Sequence, residues 1–497
     1  MDNNTRGGAL SCDIEIIKAE ITRMCSGSAD IMFSPIKVGR HSCYALWCDG
    51  MTDRMRSWET MYKQLAAIKW WQCPTPAKLL ERIANGEQPL LDRALTDNYK
   101  ELTERIMAGF SALIIQGAGR AVVVGVQGFP YRAISESYTE ENVRASHEGF
   151  AEPLRVNMTM VRRRIKSRLL VFEITKLGSV SNTEVALVYL KDRVSAGLLG
   201  SIKERLKDID IEMVLESGFI EPFFESSRFS LFSGTGHTER PDTLCTKLLE
   251  GRVGIMVDGT PFVIIMPFLF TENFQSFDDY TNKPYYSSFI RVLKYIGFFV
   301  SIFLPGIFVA ISSFNPEIIP PGLLYSITLS QQSTPLPIMY EALFIHIVYE
   351  IVREAGLRLP RPVGHSVSLI GALVIGEAAV SAGIIGSSMV MIVALTAISS
   401  FIIPLLYEPI TVLRFVFILI GGMLGPFGVT LGLCILLINI CAINTYGVPY
   451  AAPFSPYSKA LFHDGLFRTT WEKMAGKKNR LADLPGSRIE EEATDEK

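Results

Sequence analysis

Charge is distributed along this chain so unevenly that the distribution alone restricts the fold. Between positions 295 and 444 only ten of 150 residues are Asp, Glu, Lys or Arg, while the other 347 residues carry 88 of the 98 charges. A stretch so poor in charge does not make the surface of an ordinary water-soluble domain. With a mean hydropathy of +0.27, it predicts a membrane domain joined to a polar one. The formal net charge of -2 removes the bulk electrostatics that a nucleic-acid binder runs on. Eight scattered cysteines, Cys12, Cys25, Cys43, Cys48, Cys73, Cys245, Cys434 and Cys441, have no CxxC spacing. They read as reduced and mostly buried, with neither a disulfide framework nor a metal or redox role for the pair Cys43 and Cys48. The first twenty residues have no apolar run behind a basic start, so the first 240 or so residues are expected to stay in the cytosol.

Within the apolar region, residues 295–314 form twenty residues without a charge, enough to cross a hydrocarbon core of about 30 Å, and Pro305 is expected to kink them. Further spans are expected at 335–352, 367–384, 388–406, 411–425 and 429–443, the last two joined through Gly425-Pro426-Phe427-Gly428. Arg353, Arg358 and Arg361 fall in the second connection, Arg414 in the fourth, and a Lys/Arg-rich tail follows the last span. Because Lys and Arg concentrate on the cytosolic side of span ends, six spans fit this spacing and five do not. Both termini are then cytosolic and residues 330–333 lie outside. Residues 317–337, broken by Pro320, Pro321 and Gly322, read either as a re-entrant or interfacial element or as an ordinary outer loop.

The polar part repeats itself at about 140 residues. A helical pattern at 14–25 corresponds to one at 152–167. A strand ending at Gly39 corresponds to one ending at Gly178, and a hairpin with Gly109 and Gly117 corresponds to one with Gly251 and Gly259. Three features kept in register predict two tandem α/β units, with a Ser/Glu-rich connection at 135–147 between them. The tail from 459 to 497 is expected to be a solvated extension.

Enzyme chemistry finds no foothold. There is no GxxxxGK[ST] loop, and Gly234-Thr235-Gly236 lacks the lysine; HExxH, zinc-type spacing and GxSxG are also absent. No cofactor or metal is implied. Ionisable residues at membrane depth are costly and mark functional positions. His346, Glu350, Arg353 and Glu354 share an arc of about 100° on one helix, while Glu341 points the other way. Glu377 sits among the small residues of GALVIGEAAV. His346, Glu350, Glu341 and Glu377 are therefore candidates for an ion path, the alternative being internal pairing that conducts nothing.

Several stretches carry a resemblance. HEGFAEPLRVNMTMVRRRI (147–165), IDIEMVLESGFIEP (209–222), KLLEGRVGIMVDGTPFV (247–263), SFIRVLKYIGFF (288–299), REAGLRLPRPVG (353–364), GALVIGEAAV (371–380) and YGVPYAAPFSP (446–456) resemble the A subunits of spore germinant receptors, the GerA family. The resemblance implies a cytosolic domain of two subdomains and a membrane domain in the spore inner membrane. It also implies a transporter-like B subunit that binds the nutrient, a lipoprotein C subunit, and assembly of A subunits around an ion-conducting path. A similar group, the stage V sporulation AF-type proteins, shares these motifs without a dedicated nutrient-binding partner. Glu148, Arg155, Arg162, Arg163 and Arg164 are candidates for a subunit or intersubdomain contact, the alternative being a solvated amphipathic helix.

The expected architecture is a duplicated α/β soluble domain followed by an all-α multipass membrane domain. Residues 1–142 form the first subdomain, 143–285 the second, 286–446 about six spans and 447–497 a cytosolic tail. The function expected is coupling of nutrient sensing to ion release by an oligomer. A secondary transporter of a small solute is the competing class, although paired broken helices in corresponding halves are missing. A scaffold that only holds partners together is a third.

Overall fold

The structure, a computed structural model, describes residues 8–57, 59, 65, 68, 73–84, 92–128, 140, 146–225, 230–332, 334–359, 374, 376–457, 464–470, 472, 481–484 and 486–488. The chain opens with helix α1 (Ile14–Met24), where the Asp13 side chain accepts from the Glu15 amide at 3.1 Å and Ile14, Ile17 and Ile21 are buried. Strands β1 (Ile31–Val38) and β2 (His41–Cys48), helix α2 (Pro76–Ala84), strand β3 (Arg93–Thr96), helix α3 (Tyr99–Met107) and strands β4 (Ser111–Ile115) and β5 (Ala121–Val124) come after it. They form one antiparallel sheet in the order β1-β2-β4-β5-β3.

The same sequence of elements then recurs: helix α4 (Leu154–Arg164), strands β6 (Leu170–Leu177) and β7 (Thr183–Leu190), helix α5 (Ala196–Lys207), strand β8 (Gly236–Thr238), helix α6 (Pro241–Leu249), and strands β9 (Val253–Val257) and β10 (Val263–Met266). Its sheet order, β6-β7-β9-β10-β8, repeats the first strand for strand. Gly39 and Gly178, Gly109 and Gly251, and Gly117 and Gly259 all have positive φ, so the paired turns need glycine at matching places. In each unit helices cover both faces of the sheet. Residues of α1 and α3 pack with Leu46, Ala112 and Ile114, and α2 packs on the other face with Cys43, Leu113 and Val122. In the second unit α4 and α6 take one face and α5 the other. Cys43 and Cys48 thus belong to opposite faces of the first sheet, and all eight cysteines are free.

Beyond β10 the described chain is mostly helical. Helix α7 (Pro284–Phe314) is 31 residues long and stays helical through Pro305; at 1.5 Å per residue it measures about 45 Å. Helices α8 (Pro321–Gln332), α9 (Ile338–Arg358), α10 (Ser387–Phe401) and α11 (Tyr407–Ala442) come next. Within α11, Gly425 has φ 63° and ψ -157°, and Pro426 is the next residue. The chain reverses there. A Cβ on Gly432 would lie 2.8 Å from a ring carbon of Phe417, whereas fifteen residues of straight helix would separate them by about 22 Å. The glycine-proline turn expected between the last two apolar stretches is therefore a helical hairpin.

The helix directions are set by the contacts. Phe298 at the middle of α7 packs with Phe270 and Phe274, which follow β10, and Phe314 at its tip meets Gly425. The first leg of α11 runs parallel to α7: Gly306 and Gly421 are so close that a Cβ on Gly421 would overlap the Gly306 backbone. Helices α9 and α10 run the opposite way. A Cβ on Gly422 would overlap Met339 near the start of α9 at the far end, and Ser399 and Ile402 meet Gly297 near the sheets.

The structure supports the sequence reading only in part in one place and departs from it in another. Among the described residues, only the stretches Pro284–Phe314 and Pro404–Ala442 are long and apolar enough to cross a membrane, and Ser387–Phe401 is a shorter apolar helix. Helix α9 has spanning length but carries five charged residues. The expected span 367–384 is described only at 374 and 376–384, and Arg361 lies outside the described residues. The departure concerns the tail. Leu481 is 4% exposed, its amide donates to the Glu250 carbonyl at 3.0 Å, and it joins the core on the α5 face of the second sheet with Val448. Apolar anchors inside a charged stretch hold this part of the chain to the sheet.

Candidate functional site

Where α9 and α11 meet on the sheet side, polar groups converge in an otherwise apolar bundle. The Tyr407 hydroxyl donates to the Glu350 carboxylate at 2.8–2.9 Å, Arg353 Nε donates at 3.0 Å, and Arg414 Nη1 approaches at 3.3 Å. Arg414 is fully buried, and its Nε donates to the Ser301 carbonyl of α7 at 3.0 Å. The Arg353 guanidinium lies 3.9 Å from the centre of the Tyr407 ring. Two helices are thereby tied through one carboxylate and a third, α7, through Arg414, and an open cleft of about 420 Å³ lined by Ile347, Glu350, Ile351, Arg353, Glu354 and Phe415 lies alongside.

The other candidates for the ion path are placed differently. His346 is fully buried, its Nδ1 donates to the Ala342 carbonyl at 2.8 Å, and its ring meets Phe415 edge-on at 6.3 Å. Among the described residues its Nε2 has no partner. His346 and Glu350 share a helix face but not a contact. Glu341 accepts from the Gly386 amide at 2.7 Å, capping the start of α10. Glu377 is exposed on a short helical stretch. The face that α9 turns outward is Tyr340, Phe344, Ile347 and Ile351.

In the soluble part the arginines of α4 find their partners within the chain. Arg162 is 1% exposed and reaches Asp30 with two bonds of 2.7 and 3.0 Å. It also donates to the carbonyls of Ser167 and Leu170 at 2.8 and 2.9 Å, and its guanidinium lies 5.2 Å from the Phe172 ring centre. Asp30 belongs to the loop before β1, so this pair joins the two sheet units. The Ala29 amide donates to the Phe172 carbonyl at 2.9 Å beside it. Arg155 bridges Glu184 at 3.0 Å and Asp49 at 3.8 Å. Arg163 and Arg164 both hold Glu148 at 2.5 Å. Burial alone would raise the Glu148 carboxyl, but the Arg163 and Arg164 guanidinium groups outweigh it and keep the carboxyl below the ordinary glutamate range.

A third polar cluster fastens α7 to the sheets. Arg291 is fully buried; its Nε donates to Asp279 at 2.7 Å, and its Nη1 donates to the Asp464 side chain at 3.1 Å and to the Asp464 carbonyl. Phe270, Phe274, Tyr295, Phe298 and Tyr450 interlock beside it, with Phe274 and Tyr295 stacked at 4.0 Å. Sequence reasoning missed Arg291, Asp279, Asp464, Asp30 and Tyr407, and read Arg414 only as a topology marker. A buried arginine next to an apolar run was the available signal for Arg291 and Arg414. Asp30 offered none, because its partner is 132 residues away. Among the described residues no three His, Cys, Asp or Glu side chains are grouped to hold a metal.

The family model of the Bacillus/Clostridium GerA spore germination protein matches residues 19–480. Spore germination protein KA of Bacillus subtilis (strain 168) is 38% identical over 91% of this chain and 84% of its own length. The uncharacterized membrane protein YfkQ of the same organism is 34% identical over 95% of this chain and 92% of its own. The crystal structure of the N-terminal domain of the A subunit of the Bacillus megaterium spore germinant receptor GerK3 is 30% identical and covers 53% of this chain and 98% of that one, with a TM-score of 0.44. With the match running through both sheet units, the helical bundle and into the packed tail, the chain belongs to the GerA family of spore germination proteins.

Proposed function

We propose that this protein is a multipass membrane subunit of a spore germinant receptor, held in the spore inner membrane with both termini cytosolic, and that it converts nutrient recognition by partner subunits into ion release. In this reading six crossings are made, and B-type and C-type subunits supply nutrient binding and a lipid anchor. Copies of the chain surround an ion path to which each contributes α9. The observation that carries it is the Glu350 node beside an open cleft at the sheet-side end of α9. Glu350 and Glu354 lie at that mouth paired with arginines, and they attract cations once opening parts those pairs. Phe344, Ile347 and Ile351 on the outward face of the same helix form an apolar constriction that excludes water until the ring rearranges. His346 then belongs to the packing behind the constriction, and the pairing of Glu350 with Arg414 is the contact that opening alters.

Cysteine substitution along residues 343–351, with thiol modification during conductance recording of the reconstituted complex, tests this. Block at Phe344→Cys, Ile347→Cys and Ile351→Cys without block at His346→Cys is the expected result. No block at any position removes α9 from the path, and saturable solute exchange by the protein alone makes it a transporter.

A further inference from the structure

The second sheet unit carries an apolar surface that its core does not use. After Val214 the chain passes through a short turn of helix, Ser217–Phe219, and another, Glu221–Phe224. Phe224 is buried and its carbonyl accepts from the Tyr446 hydroxyl at 3.2 Å. Phe223 beside it is 42% exposed and Leu231 is 43% exposed. The one acidic side chain of the second turn is directed inward, since the Thr235 hydroxyl donates to Glu221 at 2.7 Å. What remains outward is Pro222, Phe223 and, further on, Leu231.

The location of this surface says what covers it. The Ser230 hydroxyl donates to Asn439 Oδ1 at 3.3 Å, and Asn439 lies before the end of α11 at Ala442. Phe232, on the other side of Leu231, is buried in one cluster with Phe298, Ile440 and Ile443. Leu231 is therefore held at the level of the last turn of an apolar helix. Asn439 shares an exposed helix face with Ile435 and Ile438, which are 59% and 67% exposed. The outward apolar side of α11 thus reaches Leu231, and Phe223 is held nearby because the carbonyl of its neighbour Phe224 is bonded to Tyr446, four residues past the end of α11. The opposite end of the same unit, marked by Val180 near Glu212, has no such continuity.

We propose that Phe223 and Leu231 form an interfacial lipid anchor, seated at the boundary between headgroups and acyl chains beside the foot of α11. Apolar side chains on a short helical turn enter that boundary by about 5–10 Å, and aromatic rings favour it. The anchor fixes the height of the second sheet unit against the bilayer, so the cytosolic domain lies on the membrane rather than hanging from α7 alone. The inference rests on α11 crossing the membrane, as in the function proposed above.

The test uses the full-length chain with Cys12, Cys434 and Cys441 changed to Ser, reconstituted in phosphatidylglycerol/phosphatidylethanolamine vesicles containing a nitroxide-labelled lipid. A fluorophore is attached at Phe223→Cys, Leu231→Cys, Ile438→Cys or Val180→Cys. The lipid quencher should dim positions 223 and 231 by a fraction close to that at 438 and leave 180 unchanged, while aqueous iodide should do the reverse. Iodide quenching at 223 and 231 overturns the anchor, and so does protection from both quenchers, which places a protein partner or a second copy on the surface. Absence of lipid quenching at 438 overturns the membrane crossing itself and is told apart by that position alone.

Discussion

Arg162 and Asp30, 132 residues apart, meet as a two-pronged ion pair with both side chains almost wholly withdrawn from solvent. The pair is a buried polar link between the two sheet units. Removing one partner leaves the other charged and unpaired in the interface, so Asp30→Ala should cost about 3–5 kcal/mol of stability. Arg162→Met combined with Asp30→Leu should recover much of that loss. Denaturant unfolding of the wild type, Asp30→Ala and the double variant checks both expectations.

Close backbone approach makes the helical bundle sensitive at one glycine. A Cβ on Gly421 meets the Gly306 backbone, which has no side chain to move aside. Gly421→Val should separate α7 from the first leg of α11 and destabilise the bundle by about 1–3 kcal/mol. The readout is a lowered unfolding midpoint in detergent, with Gly322→Val, where nothing lies within 4 Å, as the control that leaves it unchanged.

The tail should be as sensitive as a core element. Leu481 fills a position in the core of the second sheet unit, so Leu481→Ala should cost about 2–5 kcal/mol. Unfolding measured in the full chain should move accordingly. An unchanged midpoint would show that the segment contributes no packing energy.

Acid should act through Glu148. Its carboxyl is held below the ordinary range in the folded protein, so the folded state binds its proton less readily than the unfolded state. The stability it contributes is complete above the unfolded value of about 4.3 and disappears as pH falls through the lower folded value. Glu148→Gln should flatten that part of the stability curve below about pH 4.3, and unfolding measured across pH 3–6 for both proteins checks it.

The duplicated unit was legible because its turns need backbone conformations that only glycine adopts cheaply. Gly39, Gly109 and Gly117 have counterparts at Gly178, Gly251 and Gly259, and such a demand leaves a mark in the sequence. The reversal at Gly425-Pro426 was legible for the same reason. The pairings were not. A helical wheel puts His346 and Glu350 on one arc without saying which neighbour that arc faces, and the neighbour proved to be α11, with Phe415 against the first and Tyr407 and Arg414 against the second. Asp30 and Leu481 are ordinary residues in local sequence, and their importance comes from partners far along the chain.

The tight crossing of α7 over α11 at Gly306 divides α7 unequally, with about 33 Å of helix on the sheet side and about 12 Å beyond it. Arg291, in the first third of α7, is held by Asp279 and Asp464, and beyond it Ser301, Phe303, Gly306 and Phe314 each meet α11, so the two helices are fastened along most of that length and a displacement of the sheets would carry both as one strut.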